Sequence, residues 1–335
     1  MQCSKCPERA IILQRYSGLH LCDSHFVESV DKRVQQEFKR QVELKGNATV
    51  ALAVSGGKDS TAMLHALHRF LGKRRGTVLK VITVDEGIDG YRSESIPIVE
   101  EQCKSLGLEF RLIAVESFAG VPVDSIAAMP REASTCSYCG VLRRRAMNNA
   151  AREIGADYLC VGLNADDFAQ SVLMNVMRGD MNQMRRMAPH LQRGETRRPG
   201  LVPRLAPVRM IPENENLLYC MVQGIKWHDG TCPHFGQAQR NEARRMVHEM
   251  EERHPGTRFA MIAFLDRLRE AVSDVEGAGS RECARCGEPT SAMLSRRVQG
   301  SAASGGSEHP PLCKVCTMID EVREKLTSKG EPGAA

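Results

Sequence analysis

Short apolar runs alternate with helical stripes along the first two thirds of the chain. Residues 50–54 form an apolar run of the length of a buried strand, and residues 79–84, 109–115 and 158–162 repeat the pattern. Between these runs the apolar positions fall at helical spacing. Met63, Leu64 and Leu67 follow Ser60, residues 96–106 make a second stripe, Leu142, Ala146, Ala150 and Ile154 a third, and another begins near Phe168. An amphipathic helix over residues 26–44 precedes the first strand, and helical patterns over 213–225, 237–252 and 258–274 follow the last. Strands that alternate with helices of this length predict an α/β fold, a doubly wound and mainly parallel sheet.

The turn between the first strand and its helix carries the first sign of chemistry. Val54-Ser55-Gly56-Gly57-Lys58-Asp59-Ser60 places two glycines where strand becomes helix. Glycine allows positive φ and close backbone approach, so successive amides can converge on an anion at the helix N-terminus. The spacing is neither that of a Walker A loop nor Gly-x-Gly-x-x-Gly. The six residues from Ser55 to Ser60 resemble the pyrophosphate-binding loop of the N-type ATP pyrophosphatases, enzymes that adenylate an oxygen which a nucleophile then displaces. The plainer alternative is a glycine turn with no ligand.

Composition narrows the class. At 335 residues, 42% hydrophobic and 26% charged, the chain suits one large core with small appendages. No run approaches the roughly 18 apolar residues of a membrane helix and the first residues lack an apolar signal core, so a cytoplasmic protein without a membrane partner is expected. Thirteen cysteines in such a setting point to metal rather than disulfides. Cys3-x-x-Cys6 and Cys22-x-x-His25, fifteen residues apart, supply three thiolates and an imidazole, the closed set of a structural zinc. Cys283-x-x-Cys286 and Cys313-x-x-Cys316 supply a second zinc set, with a Gly/Ser/Ala-rich insertion at 299–307 that loops out cheaply. The spacing thus divides the chain into a zinc knuckle (1–27), an ATP pyrophosphatase domain (28–275), a zinc ribbon (276–320) and a tail (321–335) that is disordered from 328.

Three further stretches bear on function. Asp85-Glu86-Gly87-Ile88, at a strand's carboxyl end, lies where open α/β sheets hold nucleotides, although a solvated turn reads equally simply. Cys136-Ser137-Tyr138-Cys139-Gly140 stands before a helix whose start carries Arg143, Arg144 and Arg145. Cations are disfavoured at a helix N-terminus, so an anion is expected there: a cluster, ATP phosphates or RNA, with a zinc knuckle or redox dithiol as alternatives. Asp166 and Asp167 meet the start of another helix, where carboxylates can cap and bind magnesium. From 178 to 209 arginine dominates, with Arg185, Arg186, Arg197, Arg198 and Arg209 among eight; the segment suits phosphate contacts and RNA docking or is a solvated mobile loop.

Taken together, residues 3–320 resemble the tRNA 2-thiouridine synthetases of the TtuA/NcsA type. That family has an N-terminal zinc knuckle, a pyrophosphatase core with Cys-x-x-Cys-Gly, a later Cys-Pro and a C-terminal zinc ribbon, in this order. The resemblance implies a 4Fe–4S cluster on Cys136, Cys139 and Cys232, with one iron open for sulfur. It implies ATP at Val54–Ser60, Asp85, Gly162 and Asp167, with Lys58, Asp59, Arg143 and Asp166 catalytic. The family's Gly-His-Asn-x-Asp-Asp stands here as Gly162-Leu163-Asn164-Ala165-Asp166-Asp167, so the histidine is replaced. Expected partners are Mg²⁺, a tRNA held by Arg144, Arg145, Arg185, Arg186, Arg197 and Arg198, a ubiquitin-like sulfur carrier or sulfide, and a second copy in a homodimer. The uridine is wobble position 34 or T-loop position 54. A lysidine-type synthetase and a non-catalytic RNA-binding scaffold are the other readings; thirteen cysteines disfavour the first and an intact Lys58-Asp59-Ser60 the second.

Overall fold

The computed structural model describes residues 1–130, 134–190, 200–235, 240–272, 280–291 and 312–329. Five parallel strands form the central sheet: β3 (Ala48–Ala53), β4 (Thr77–Asp85), β5 (Glu109–Ala114), β6 (Tyr158–Val161) and β7 (Arg204–Leu205), in the order β5-β4-β3-β6-β7. The chain steps outward from β3 through β4 to β5, then returns to the other side of β3 with β6. The strand order therefore reverses at the β3/β6 junction, where open sheets leave a crevice at their carboxyl ends.

Alternation along each strand divides the core. Val50, Leu52, Val54, Leu79 and Val81 face helices α1 (Asp23–Gln41), α2 (Lys58–Leu71), α3 (Arg92–Leu106) and α9 (Glu213–Val222). Ala51, Ile82, Leu159 and Val161 face the opposite layer, built from α6 (Thr135–Glu153), α7 (Ala165–Met177) and α11 (Thr257–Val272). Both faces are covered, which is why these strands read as continuous apolar runs. Short helices α4 (Glu116–Ala119), α5 (Val123–Ala127) and α8 (Met181–Arg185) and the longer α10 (Arg240–Arg253) complete the domain.

A small module stands at each end. The first is a hairpin, β1 (Ile12–Gln14) with β2 (Leu19–Leu21), that leads directly into α1. The second is a hairpin, β8 (Ser280–Glu282) with β9 (Pro289–Ser291), followed by α12 (Lys314–Lys329). The expected tail differs: residues 321–329 continue α12, so 328 and 329 are helical, while 330–335 and the insertion at 299–307 lie outside the described residues. Helix α6 also begins earlier than its apolar stripe suggests. Cys136 and Cys139 lie in its first turns, which puts Arg143, Arg144 and Arg145 two turns inside the helix. The macrodipole argument for an anion beside those arginines accordingly falls away. No described helix is long and apolar enough to cross a membrane.

Candidate active site

The glycine turn sits at the reversal of strand order. Gly56 has φ +85°, and a Cβ there would lie 2.9 Å from the Ser95 carbonyl oxygen, so both conformation and space demand glycine. Gly57 is the N-cap of α2 and has no capping side chain of its own. Ser60 Oγ closes the turn, accepting from the Ser55 amide at 3.0 Å and donating to the Gly57 carbonyl at 3.0 Å. Thr61 is the first amide to bond back, to Gly57, so the amides of the first turn have no partner within the helix. Gly162, at the end of β6, packs against the same turn: a Cβ there would lie 2.6 Å from Ser60 Cα. The two strand ends are thus pressed together around an anion-ready helix start.

Polar side chains from three helices converge on this turn. Asp59 Oδ1 accepts from Asn164 Nδ2 at 2.9 Å and from Asn216 Nδ2 at 2.8 Å. Lys58 Nζ reaches Glu213 Oε1 at 2.8 Å, and Glu213 in turn receives Arg244 on both oxygens at 2.7 Å. Burial disfavours the Lys58 cation, but Asp59 and Glu213 outweigh it and hold its pKa above the usual value. Asn164 and Asp167 form a capping box at the start of α7, and burial pushes the Asp167 carboxyl up to about 6. Asp166 is placed differently. It accepts the Glu213 amide at 2.8 Å and pairs with Arg258 at 2.7 Å, so it anchors α9 and α11. Leu163 is 37% exposed.

Glu86 joins the nucleotide turn to the cysteines. Its carboxylate, 1% exposed, takes Arg92 on both oxygens, while Arg92 Nη1 donates to the Ser55 carbonyl at 2.9 Å. Arg143 Nη1 lies 3.5 Å from the same carboxylate. Asp85 holds its own loop, accepting the Gly87 amide at 2.8 Å. Neither Arg92 nor Glu213 carries a motif; only their partners in the fold reveal them.

Cys136 and Cys139 lie on α6 and Cys232 in the 226–235 loop; Cys139 and Cys232 pack on one apolar cluster, and Cys136 Sγ donates to the His234 carbonyl at 3.5 Å. Burial is the largest influence and pushes Cys139 up to about 11. The loop is tied down on each side of Cys232: the His228 amide donates to the Gly56 carbonyl at 2.8 Å, and His234 Nε2 meets Asp124 at 2.8 Å. These three thiols are not gathered within 4.8 Å of one another as the ligands of the end modules are, so their spacing is wider than a single ion takes. The other cysteines outside the end modules lie in the core. Cys220 is fully buried in α9 with Sγ 3.5 Å from the Lys58 carbonyl, and Cys103 and Cys160 are buried in α3 and β6.

The two end modules gather four ligand atoms each. Cys3, Cys6, Cys22 and His25, and Cys283, Cys286, Cys313 and Cys316, each lie within 4.8 Å of one another. Sulfurs at about 2.3 Å from a tetrahedral ion would stand roughly 3.8 Å apart. Cys6 and Cys22 are 3.6 Å apart, as are Cys286 and Cys313, so each set fits one ion.

Known proteins show the same combination. A family profile described as the PP-loop domain matches residues 30–251, and one for the N-terminal LIM domain of the 2-thiouridine synthetase TtuA matches residues 2–27. The chain belongs to the PP-loop tRNA thiolation family. The tRNA 2-thiolation protein NcsA of Haloferax volcanii is 36% identical over 89% of this chain and 98% of its own length. The cytoplasmic tRNA 2-thiolation protein 1 of Danio rerio is 30% identical over 98% of this chain and 91% of its own. The solved structure of the U34-tRNA thiolase NcsA from Methanococcus maripaludis with its 4Fe–4S cluster is similar at a TM-score of 0.72 and 32% identity, covering 81% of this chain and 88% of that one.

Against this family background the arginines expected on RNA divide. Arg145 is spent on Glu288 of the C-terminal module, and Arg209, fully buried, pairs with Glu37 and Asp266. Arg144 and Arg186 are exposed, and Arg185 ends α8. Arg197 and Arg198 lie outside the described residues.

Proposed function

We propose that this chain is an ATP-dependent tRNA 2-thiouridine synthetase, a sulfurtransferase of the cytoplasm. The observation that carries the reading is the Glu86 junction, in which one buried carboxylate holds both the arginine fixed to the ATP turn and the arginine beside the cysteines. Adenylation acts on the C2 oxygen and sulfur on the C2 carbon of one base, and this junction keeps the two halves of the site in register. The Methanococcus relative is a U34-tRNA thiolase, which favours the wobble uridine over the T-loop.

In this reading the C2 oxygen of the uridine attacks the α-phosphate of ATP, pyrophosphate leaves, and a sulfur nucleophile then displaces AMP from C2. The amides of Gly57–Ser60 cradle phosphate, while Lys58 and Arg143 offset charge that develops on it. Lys58 must leave Glu213 to do so, and Arg244 then keeps that carboxylate paired. Asp59 and Asp167 are our candidates for Mg²⁺, which when bound would screen the phosphates; Asp166 instead holds Glu213 and Arg258. A cluster held by Cys136, Cys139 and Cys232 would supply an open coordination site for the sulfur. Zinc in the two end modules is structural. The sulfur donor, a ubiquitin-like carrier or sulfide, and assembly as a homodimer remain part of the proposal.

The test is tRNA-dependent AMP and pyrophosphate formation by cluster-loaded protein, with nucleoside mass spectrometry of the product. Lys58→Ala and Asp59→Ala should each lower AMP formation by at least a hundredfold while zinc content stays at two per chain. Full turnover in either variant, or AMP release indifferent to tRNA, overturns the reading.

A further inference from the structure

Beside the ATP turn, on the far side of the Lys58–Glu213 pair, opens a cavity of about 400 Å³. Asp166 and Glu213 form one wall, Asn241, Arg244 and His248 of α10 the other, and Phe235 borders it. Its size is that of sites for small organic ligands, about 300–1,000 Å³, and is sufficient for one nucleotide. Its lining among the described residues is all side-chain bearing, unlike the glycine-rich ATP turn. The two carboxylates do not make it hostile to phosphate, because Asp166 is paired with Arg258 and Glu213 with Lys58 and Arg244.

Phe235 gives the cavity its character. The ring is 39% exposed although it is a large aromatic, and the backbone that presents it is fixed. The Phe235 amide donates to the Cys232 carbonyl at 2.9 Å, and Asn241 Nδ2 donates to the Phe235 carbonyl at 3.3 Å. One tight turn therefore carries both a cysteine of the core set and an open aromatic face. Such a face stacks on any nucleobase, and enzymes that act on a base take it out of its stack into a pocket lined in this way.

We propose that this cavity receives the target uridine, swung out of the tRNA and stacked on Phe235, with its Glu213 wall bonded to Lys58 of the ATP turn and its Phe235 amide bonded to the Cys232 carbonyl. The assignment rests on the tRNA-thiolation reading and names the subsite where its substrate sits. Arg244 and the neighbouring α10 cations take the flanking phosphate, as guanidinium groups do. Glu213 borders both sites: it pairs with Lys58 of the ATP turn and with Arg244 of the cavity wall.

The experiment uses the full chain loaded with its cluster, in wild-type, Phe235→Ala and Phe235→Tyr forms. Loss of one stacking face should lower kcat/KM for tRNA in Phe235→Ala by roughly 5- to 150-fold. Phe235→Tyr should stay within about threefold of wild type, and the KM for ATP and the cluster absorbance should not move in either variant. Ultraviolet irradiation with a tRNA carrying 5-bromouridine at the target position should join the RNA to the Cys232–Phe235 turn. Unchanged tRNA kinetics in Phe235→Ala, or a cross-link mapped outside the cavity walls, overturns the assignment. A wild type that makes no 2-thiouridine overturns the functional reading instead, and the cross-link then decides on the cavity alone.

Discussion

Glu86 and Arg92 illustrate how much a site can rest on residues with no chemistry of their own to perform. Both are almost fully buried, and burying a charge is costly unless it is paired. Arg92→Met would leave the Glu86 carboxylate with Arg143 alone, whose side chain is 47% exposed and 3.5 Å away. The expected cost is about 3–5 kcal/mol of folding stability. The double change Glu86→Met with Arg92→Met removes both charges and should recover more than half of it, which urea denaturation of the three variants would read. ATP affinity separates the second role. Because Arg92 also holds the Ser55 carbonyl, the double variant should bind ATP about tenfold more weakly even where its stability is restored. Wild-type ATP affinity in the double variant would mean that the pair only supports the fold.

At the scale of elements, the strands and most helices were legible because both sheet faces are covered and the helices carry one apolar stripe each. The early start of α6 was not. Cys136-Ser137-Tyr138-Cys139-Gly140 contains no stripe until α12 lies against Tyr138, so the helix there is a consequence of tertiary packing. Strand β7 has only two residues, too few for any period, and Phe235, Arg244 and Glu213 join the site across long stretches of sequence. Helix α2 shows a different hidden property. Its stripe of Met63, Leu64 and Leu67 was plain, but His65 between them is lowered to about 4, chiefly by burial. Such a histidine stays neutral in the folded chain while the unfolded chain takes up a proton below about pH 6.5. Its contribution is therefore intact above that pH and is lost as pH falls toward 4. Between pH 7.5 and 4.5 the wild type should lose on the order of 2 kcal/mol more than His65→Gln, measured by urea unfolding at each pH. Equal losses would place the acid sensitivity elsewhere.

For the molecule as a whole, the C-terminal module is a brace on the helix that carries the core cysteines. Tyr138, between Cys136 and Cys139, is 2% exposed among Ile126, Met318, Ile319 and Val322, and its hydroxyl donates to Glu321 Oε2 at 2.6 Å. About two and three turns further along α6, Arg145 and Asn148 grip Glu288, which stands two residues after Cys286. The four-thiol set at Cys283, Cys286, Cys313 and Cys316 thus ties together both ends of a clamp on α6, and a module of this size would depend on a metal held there for folding. Tyr138→Ala should cost about 3–5 kcal/mol, as loss of a buried aromatic does, and should prevent stable reconstitution of the cluster although all three of its cysteines remain. Tyr138→Phe removes only the bond to a charged acceptor, at about 1.5–3 kcal/mol, and should keep the cluster. Cys316→Ala reaches the same helix from the zinc side. Anaerobic reconstitution followed by iron and sulfide analysis should find it as poor in cluster as Tyr138→Ala, with the N-terminal zinc still bound. Full cluster content in Cys316→Ala would show that α6 holds its cysteines without the module, and that the clamp serves some purpose other than the cluster.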